Sequence, residues 1–141
     1  MSVNVRSLAR RAAVAASLAT LLVATVPVGQ VGASATPGDG TRTVANRHGS
    51  CSGPTSWRLS VKYGSGNFDV IFSGSGGASG QKWSIYMDDN HEGFFHGSRT
   101  SGTGGSFAAK ASTPDKSGSD KIVVGGQNQK TGETCRARVT I

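Results

Sequence analysis

The stretch that decides the fold, residues 130–141, reads KTGETCRARVTI. Apolar residues alternate in it with polar or charged ones, which is the pattern of a β-strand with one buried face. It also carries Cys135, one of only two cysteines in the chain, so its sole intramolecular partner is Cys51. Two questions follow: how many strands precede this one, and whether the two cysteines form a bridge.

Six earlier runs show a similar alternation and are separated by turn-forming Gly, Ser, Asp and Asn residues. In chain order they read WRLSVKY (57–63), NFDVIFS (67–73), QKWSIYM (81–87), EGFFHGS (92–98), SFAAKAS (106–112) and DKIVVGG (120–126). Only EGFFHGS is irregular, and no stretch after residue 35 shows helical spacing over ten residues. We therefore predict an all-β fold, a single immunoglobulin-like sandwich of about seven antiparallel strands with one disulfide.

The same alternation predicts which side chains form the core, because successive residues of a strand point to opposite faces. The expected core residues are Trp57, Leu59, Val61, Tyr63, Phe68, Val70, Phe72, Trp83, Ile85, Met87, Phe107, Ala109, Ala111, Ile122, Val124, Cys135, Ala137, Val139 and Ile141.

A bridge between Cys51 and Cys135 is consistent with seven strands. If successive strands reverse direction, the first and the seventh start at the same end of the domain, where the two cysteines lie. The bridge would close a loop of 84 residues and, by the loop-entropy relation, contribute roughly 4–5 kcal/mol in an oxidising compartment.

The leader is typical of a secretory signal peptide, which we assign to residues 1–35. Three arginines in residues 1–11 precede an apolar run of 15 residues (12–26), and Ala33-Ser34-Ala35 supplies the small residues before a cleavage site at Thr36. A retained signal anchor is the alternative, but that apolar run is shorter than the ~20 residues a spanning helix needs. We therefore predict a secreted, extracellular protein without a membrane anchor.

Charge and composition describe the remainder of the chain. The formal net charge is +7 for the whole chain and falls to +4 without the three arginines of the leader, which is too mild to indicate a nucleic-acid partner. Residues 36–50 contain one branched aliphatic residue, Val44, and are predicted to be a flexible lead-in. The β-sandwich domain is then residues 51–141, a small domain that we expect to be monomeric.

Four segments resemble small secreted actinobacterial proteins with an immunoglobulin-like β-sandwich fold. They are CSGPTSWRLSVKY (51–63), GQKWSIYMDDN (80–90), GSRTSGTGGSFAAK (97–110) and DKIVVGGQNQKTGETCRARVTI (120–141). The resemblance implies the fold and export only. Trp83 on the third predicted strand matches the antibody-type pattern, but Val124 and Gly126 stand where that pattern has a tyrosine and a cysteine.

Residues 88–99, DDNHEGFFHGSR, match the first half of an EF-hand calcium loop, with oxygen ligands at positions 1, 3 and 5 and glycine at position 6. Position 12 is Arg99 in place of the bidentate carboxylate. A zinc site through His91 and His96 would lack further ligands. We therefore predict a polar hairpin turn here and expect neither a metal nor a cofactor.

The glycine-rich stretch FSGSGGASGQ (72–81) partly matches the motif of a phosphate-binding loop. Ser79 replaces the third glycine of that motif, and no helix follows. We predict a flexible loop over residues 73–80, which could contact a ligand. No G-x-S-x-G nucleophile motif and no paired-carboxylate arrangement is found, so we do not expect an enzyme.

The last candidate site is electrostatic. Arg58 and Lys62 on the first predicted strand, and Arg136 and Arg138 on the seventh, should all point outward. If these strands adjoin, four cations share one face that would attract an anionic polymer, such as a cell-wall glycopolymer. The alternative is that the cations protect a sheet edge against strand addition.

These observations predict a small secreted non-catalytic β-sandwich module that binds an extracellular partner or associates with a surface. The expected partner is an anionic cell-wall polymer or an extracellular protein. A secreted proteinaceous inhibitor of an extracellular enzyme is the alternative, although the loops are mostly Gly and Ser and offer few anchor side chains. A small-ligand carrier is a third possibility.

Overall fold

The structure is a computed structural model and describes residues 40–141. The predicted signal peptide, residues 1–35, and its cleavage site lie outside the described residues. Eight strands follow one another: β1 (Arg42–Ser50), β2 (Ser56–Gly64), β3 (Asn67–Ser75), β4 (Lys82–Asp89), β5 (Glu92–Thr100), β6 (Phe107–Pro114), β7 (Lys121–Asn128) and β8 (Thr134–Thr140). A single 3-10 turn at Thr103–Gly105 is the only helical element of residues 40–141.

The strands form two four-stranded sheets, ordered β1-β2-β3-β6 and β5-β4-β7-β8, and all neighbours are antiparallel. The chain changes sheet three times, between β3 and β4, between β5 and β6, and between β6 and β7. Both sheets bury one face, since alternate residues of their strands are inaccessible to water. The predicted all-β sandwich is confirmed.

The core consists of the side chains that the alternation predicts. Leu59, Val61, Val70, Phe72, Ile85, Met87, Ile122 and Val124 are all 0% exposed, and Trp83 is 1% exposed. Four predicted core residues are only partly buried: Trp57, Tyr63 and Ile141 at the ends of strands, and Ala111 within β6. Trp83 packs against Phe107 with ring centroids 4.6 Å apart, so aromatic side chains from the two sheets meet at the centre.

The strand count is eight, because part of the predicted flexible lead-in forms β1. This strand pairs with β2 along its length, with a register shift between Thr43 and Ala45. Ala45 is 5% exposed and belongs to the core. Composition did not predict this strand, since a strand that pairs on one side only can be stabilised by its backbone hydrogen bonds and one buried side chain.

Two tight hairpins connect neighbouring strands. Ser65 and Gly66 join β2 to β3, and Asn90 and His91 join β4 to β5, and φ is positive at all four residues. Two-residue turns with two positive φ values match the right-handed twist of the flanking strands. The predicted polar hairpin turn within residues 88–99 is therefore confirmed.

The Gly/Ser-rich segment 73–80 differs from its prediction as a flexible loop. Its first three residues belong to β3. The remainder is hydrogen-bonded to residues 101–104: the amide of Gly76 donates to the carbonyl of Gly104 at 2.8 Å, and the Ser101 hydroxyl donates to the carbonyl of Ala78 at 2.7 Å. The segment is thus tied to the end of the sandwich along most of its length.

The predicted disulfide between Cys51 and Cys135 is present, with 4.3 Å between the two Cα atoms. It joins the segment before β2 to the second residue of β8, as the strand-direction argument requires. Glu133 reinforces this junction, because its buried carboxylate accepts a hydrogen bond from the backbone N–H of Thr55 at 2.8 Å. The segment before β2 and the start of β8 are therefore joined covalently and by a buried charge-assisted hydrogen bond.

Residues 40–141 contain no helix of the length and apolarity needed to cross a membrane.

Candidate functional site

The first pair of predicted cations lies on the outer face of the sheet that contains β1. Arg58 and Lys62 alternate on β2 with the buried residues Leu59 and Val61, and both are exposed. Because β2 lies between β1 and β3, it is an interior strand, so these two cations do not protect an edge.

The second pair lies on the other sheet. Arg136 and Arg138 alternate on β8 with buried Cys135 and Ala137 and point outward. The outer faces of two packed sheets point in opposite directions, so the expected single face of four cations does not form. The disulfide joins the ends of β2 and β8, but the two strands belong to different sheets.

β8 is an edge strand, and the edge strand of the other sheet, β1, lies against it. Arg47 of β1 is the register partner of Leu59, so its side chain leaves β1 on the side of the second sheet. At the centre of the sheet this direction leads into the core, but at the edge it leads past β8 to solvent. Arg47 is accordingly exposed and lines one groove with Arg138.

Lys121, the first residue of β7, completes the cluster. It lines the groove of Arg47 and Arg138, and it also lines an adjoining groove with Arg136, Arg138 and His91. We call the continuous surface lined by Arg47, Lys121, Arg136 and Arg138 the basic groove. Three strands from both sheets contribute to it.

The cations of the basic groove are not neutralised by neighbouring acids. Among residues 40–141 the ion pairs within 4.0 Å join Lys110 to Asp69 and Lys116 to Asp89 and Glu92, and none involves the groove. One carboxylate, Asp88, lies on the groove wall. Four cations and one acid leave a net positive charge on this surface, which attracts anions.

Sequence reasoning missed Arg47 and Lys121 as members of this site. Arg47 lies in the segment predicted to be a flexible lead-in, where no strand pattern was visible. Lys121 is the first residue of a strand in which only the apolar residues were assigned a role, as part of the core. The pairing of β7 with β8 places Lys121 near Arg138, and the packing of β1 against β8 adds Arg47.

A second charged cluster lies near the β4–β5 hairpin and contains three aspartates. Burial, a hydrogen bond with Asp115 and the nearby Asp89 carboxylate together raise the pKa of Asp120 above its usual value of 3.8. Asp89 is fully buried and accepts a hydrogen bond from Thr113 at 3.3 Å.

Lys116 is the cation of this cluster. It donates a hydrogen bond to Glu92 at 2.6 Å, which lowers the pKa of Glu92 and raises that of Lys116. No group of three or more His, Cys, Asp or Glu side chains in residues 40–141 is placed to hold a metal ion. His91 lies in the turn and His96 on β5, where it pairs with Tyr86 across the strands.

Comparison with known proteins adds no relative: no family model matches the chain, and neither the curated proteins nor the solved structures contain a significant match.

Proposed function

We propose that this protein is a secreted, non-catalytic β-sandwich module that binds an anionic extracellular polymer in the basic groove. The observation that carries the proposal is the convergence of Arg47, Lys121, Arg136 and Arg138 from three strands without an ion-pair partner among the described residues. Like charges repel one another, so a surface that gathers four of them is better stabilised with an anion bound than without.

A polymer suits this surface better than a small anion. Alternate residues of a strand lie about 7 Å apart, so the guanidinium groups of Arg136 and Arg138 offer separate contacts along β8. Exposed ion pairs contribute less than about 1 kcal/mol each, so useful affinity requires several of them at once. A chain of repeated negative charges can supply these contacts together.

Extracellular localisation is part of the proposal. The leader of residues 1–35 has the charged, apolar and small-residue regions of a signal peptide. The disulfide between Cys51 and Cys135 is compatible with an oxidising compartment, where such bonds persist.

We also propose an immunoglobulin-like classification on the basis of strand order. When β1 is set aside, the sheets are β2-β3-β6 and β5-β4-β7-β8. Naming β2 to β8 as A, B, C, C′, E, F and G gives A-B-E facing C′-C-F-G, in keeping with the immunoglobulin arrangement. The buried Trp83 then lies on strand C, where immunoglobulin domains have a tryptophan.

Retention on immobilised dextran sulfate tests the function. The wild-type protein should bind at low salt and elute as salt screens the exposed charges. Arg136→Ser with Arg138→Ser should elute earlier, and the slope of log affinity against log salt should fall by about half, since two of four groove cations are removed.

Arg58→Ser with Lys62→Ser is the matched control, because it removes the same charge from the opposite face of the sandwich. The control should retain the wild-type elution. Equal loss in both double variants would mean that only net charge attracts the polymer, and no retention of the wild type at low salt would refute the proposed function.

A further inference from the structure

Tyr86 is an aromatic residue on the outer face of the sheet that contains β8. It stands on β4 between Ile85 and Met87, which are both 0% exposed, so its side chain points away from the core. Its ring is only partly buried.

Gly125 of β7 makes room for this ring. A Cβ atom added at position 125 would overlap the Cε1, Cζ and Oη atoms of Tyr86. Glycine weakens the interior of a strand and often marks a place where another group approaches closely. The tyrosine ring therefore lies across β7 in the space of the missing side chain, with its far side directed out of the sheet.

Polar side chains surround the ring. Ser84, His96, Gln127 and Thr134 line the same groove as Tyr86, together with Arg136. The groove has a volume of about 550 Å³, within the range of small-ligand sites. A hydroxyl, an imidazole and an amide beside an aromatic ring offer both donors and acceptors next to a flat apolar surface.

This second groove is continuous with the basic groove through Arg136. Tyr86, Gly125 and Arg136 form one row across three neighbouring strands. Adjacent strands lie about 4.8 Å apart, so the Tyr86 ring, which lies over Gly125, is one strand spacing from the backbone of Arg136. A ligand on Tyr86 therefore places its substituents within reach of the guanidinium group.

From this arrangement we propose that Tyr86 stacks against a sugar ring, and that the anionic polymer bound by this protein is a polysaccharide with charged substituents. The inference rests on the proposed function and adds the neutral part of the ligand to it. The C–H groups on one face of a pyranose cover the tyrosine ring. The hydroxyls of the sugar form hydrogen bonds with Gln127 and Thr134, and its anionic group pairs with Arg136.

Two soluble polyanions separate the contributions of sugar and charge. Polygalacturonate carries a carboxylate on every sugar ring, whereas polyacrylate carries carboxylates on a hydrocarbon chain. Tyr86→Ala should lower the affinity for polygalacturonate roughly five-fold, the size of an aromatic stacking contribution. It should leave the affinity for polyacrylate within about two-fold, and Tyr86→Phe should bind both polymers as the wild type does, because it keeps the ring.

The outcomes distinguish this inference from the proposed function. If the wild type binds neither polymer, both are refuted. If the wild type binds polyacrylate and Tyr86→Ala does not weaken its binding to polygalacturonate, the sugar contact is refuted while the basic groove stands. Equal loss on both polymers would also refute it, because Tyr86 would then act only through the position of Arg136.

Discussion

Buried polar residues at the disulfide end of the sandwich stabilise it through hydrogen bonds between separate segments. Thr55 is 1% exposed, and its backbone N–H has Glu133 as its hydrogen-bond acceptor. The backbone N–H of Asn128 donates a hydrogen bond to the backbone carbonyl of Glu133 at 2.8 Å. Side chain and backbone of one glutamate thus hold two segments that are distant in the chain.

Replacing Glu133 by alanine should leave the buried Thr55 amide without a partner. An unsatisfied buried donor costs about 1–3 kcal/mol, so the free energy of unfolding in urea should fall by that amount. Glu133→Gln is the control and should lose less, since its amide oxygen still accepts the bond. Equal losses in the two variants would show that the negative charge, and not the acceptor, is what matters.

Asp120 should make the stability depend on pH in an unusual direction. Its pKa in the folded protein is raised above 3.8, chiefly by burial, so the folded state holds the proton more tightly than the unfolded state. Its contribution to stability is therefore complete below about pH 3.8 and is lost as pH rises through the raised pKa. Asp120→Asn has no carboxyl to deprotonate at this position and so avoids this loss of stability. Its melting temperature should therefore rise relative to that of the wild type as pH increases from 3.5 to 7.

Asp69 provides the control of opposite sign. Its hydrogen bonds with Ser112 and Lys110 lower its pKa, so its contribution is present above its usual pKa and is lost as pH falls. The melting temperature of Asp69→Asn should therefore fall relative to that of the wild type as pH rises. A parallel response of the two variants would contradict the assigned directions.

Among the secondary-structure elements, β1 is the one whose role differs most from expectation. It covers the edge of β2, and Trp57 lies over its Gly49 while donating a hydrogen bond to the carbonyl of Ser50 at 3.2 Å. It also supplies Arg47 to the basic groove. The strand therefore belongs both to the fold and to the proposed site.

A chain of residues 51–141 should be less stable than a chain of residues 40–141. The shorter chain lacks the buried Ala45 and the half-buried Val44, so its free energy of unfolding should be lower by about 2 kcal/mol. It also exposes the edge of β2, which can pair with a second copy. Urea denaturation and analytical ultracentrifugation measure the two effects, and identical stability and mass for the two chains would argue against a structural role for β1.

At the scale of the whole molecule, one covalent bond limits the unfolded state. Cys51 and Cys135 are 84 residues apart, and the bond between them closes a loop that includes β2 to β7. A loop of this length removes much of the conformational freedom of the unfolded chain. A small domain with a modest core depends on such a constraint.

The variant with Cys51→Ala and Cys135→Ala should lose roughly 4 kcal/mol of stability, with a fall of about 15 °C or more in melting temperature. Calorimetry of the variant and of the reduced wild type should agree, because both remove the same constraint. A melting temperature equal to that of the oxidised wild type would show that the bond adds no stability.

The local pattern of the sequence determined the strands and their buried faces. Leu59, Trp83 and Val124 were predicted to be buried from alternation alone, because the direction of a side chain in a strand depends only on its position within that strand. The hairpin at Asn90 and the pairing of the two cysteines were likewise predictable, the first from turn chemistry and the second because no other partner exists.

Only the tertiary structure decided which strands are neighbours. Three crossings between the sheets place β2 and β8 in different sheets and bring β1 beside β8, so Arg58 and Lys62 are separated from Arg136 and Arg138. No local pattern encodes these crossings, because they depend on the packing of whole sheets. The basic groove and the position of Tyr86 beside it follow from that packing.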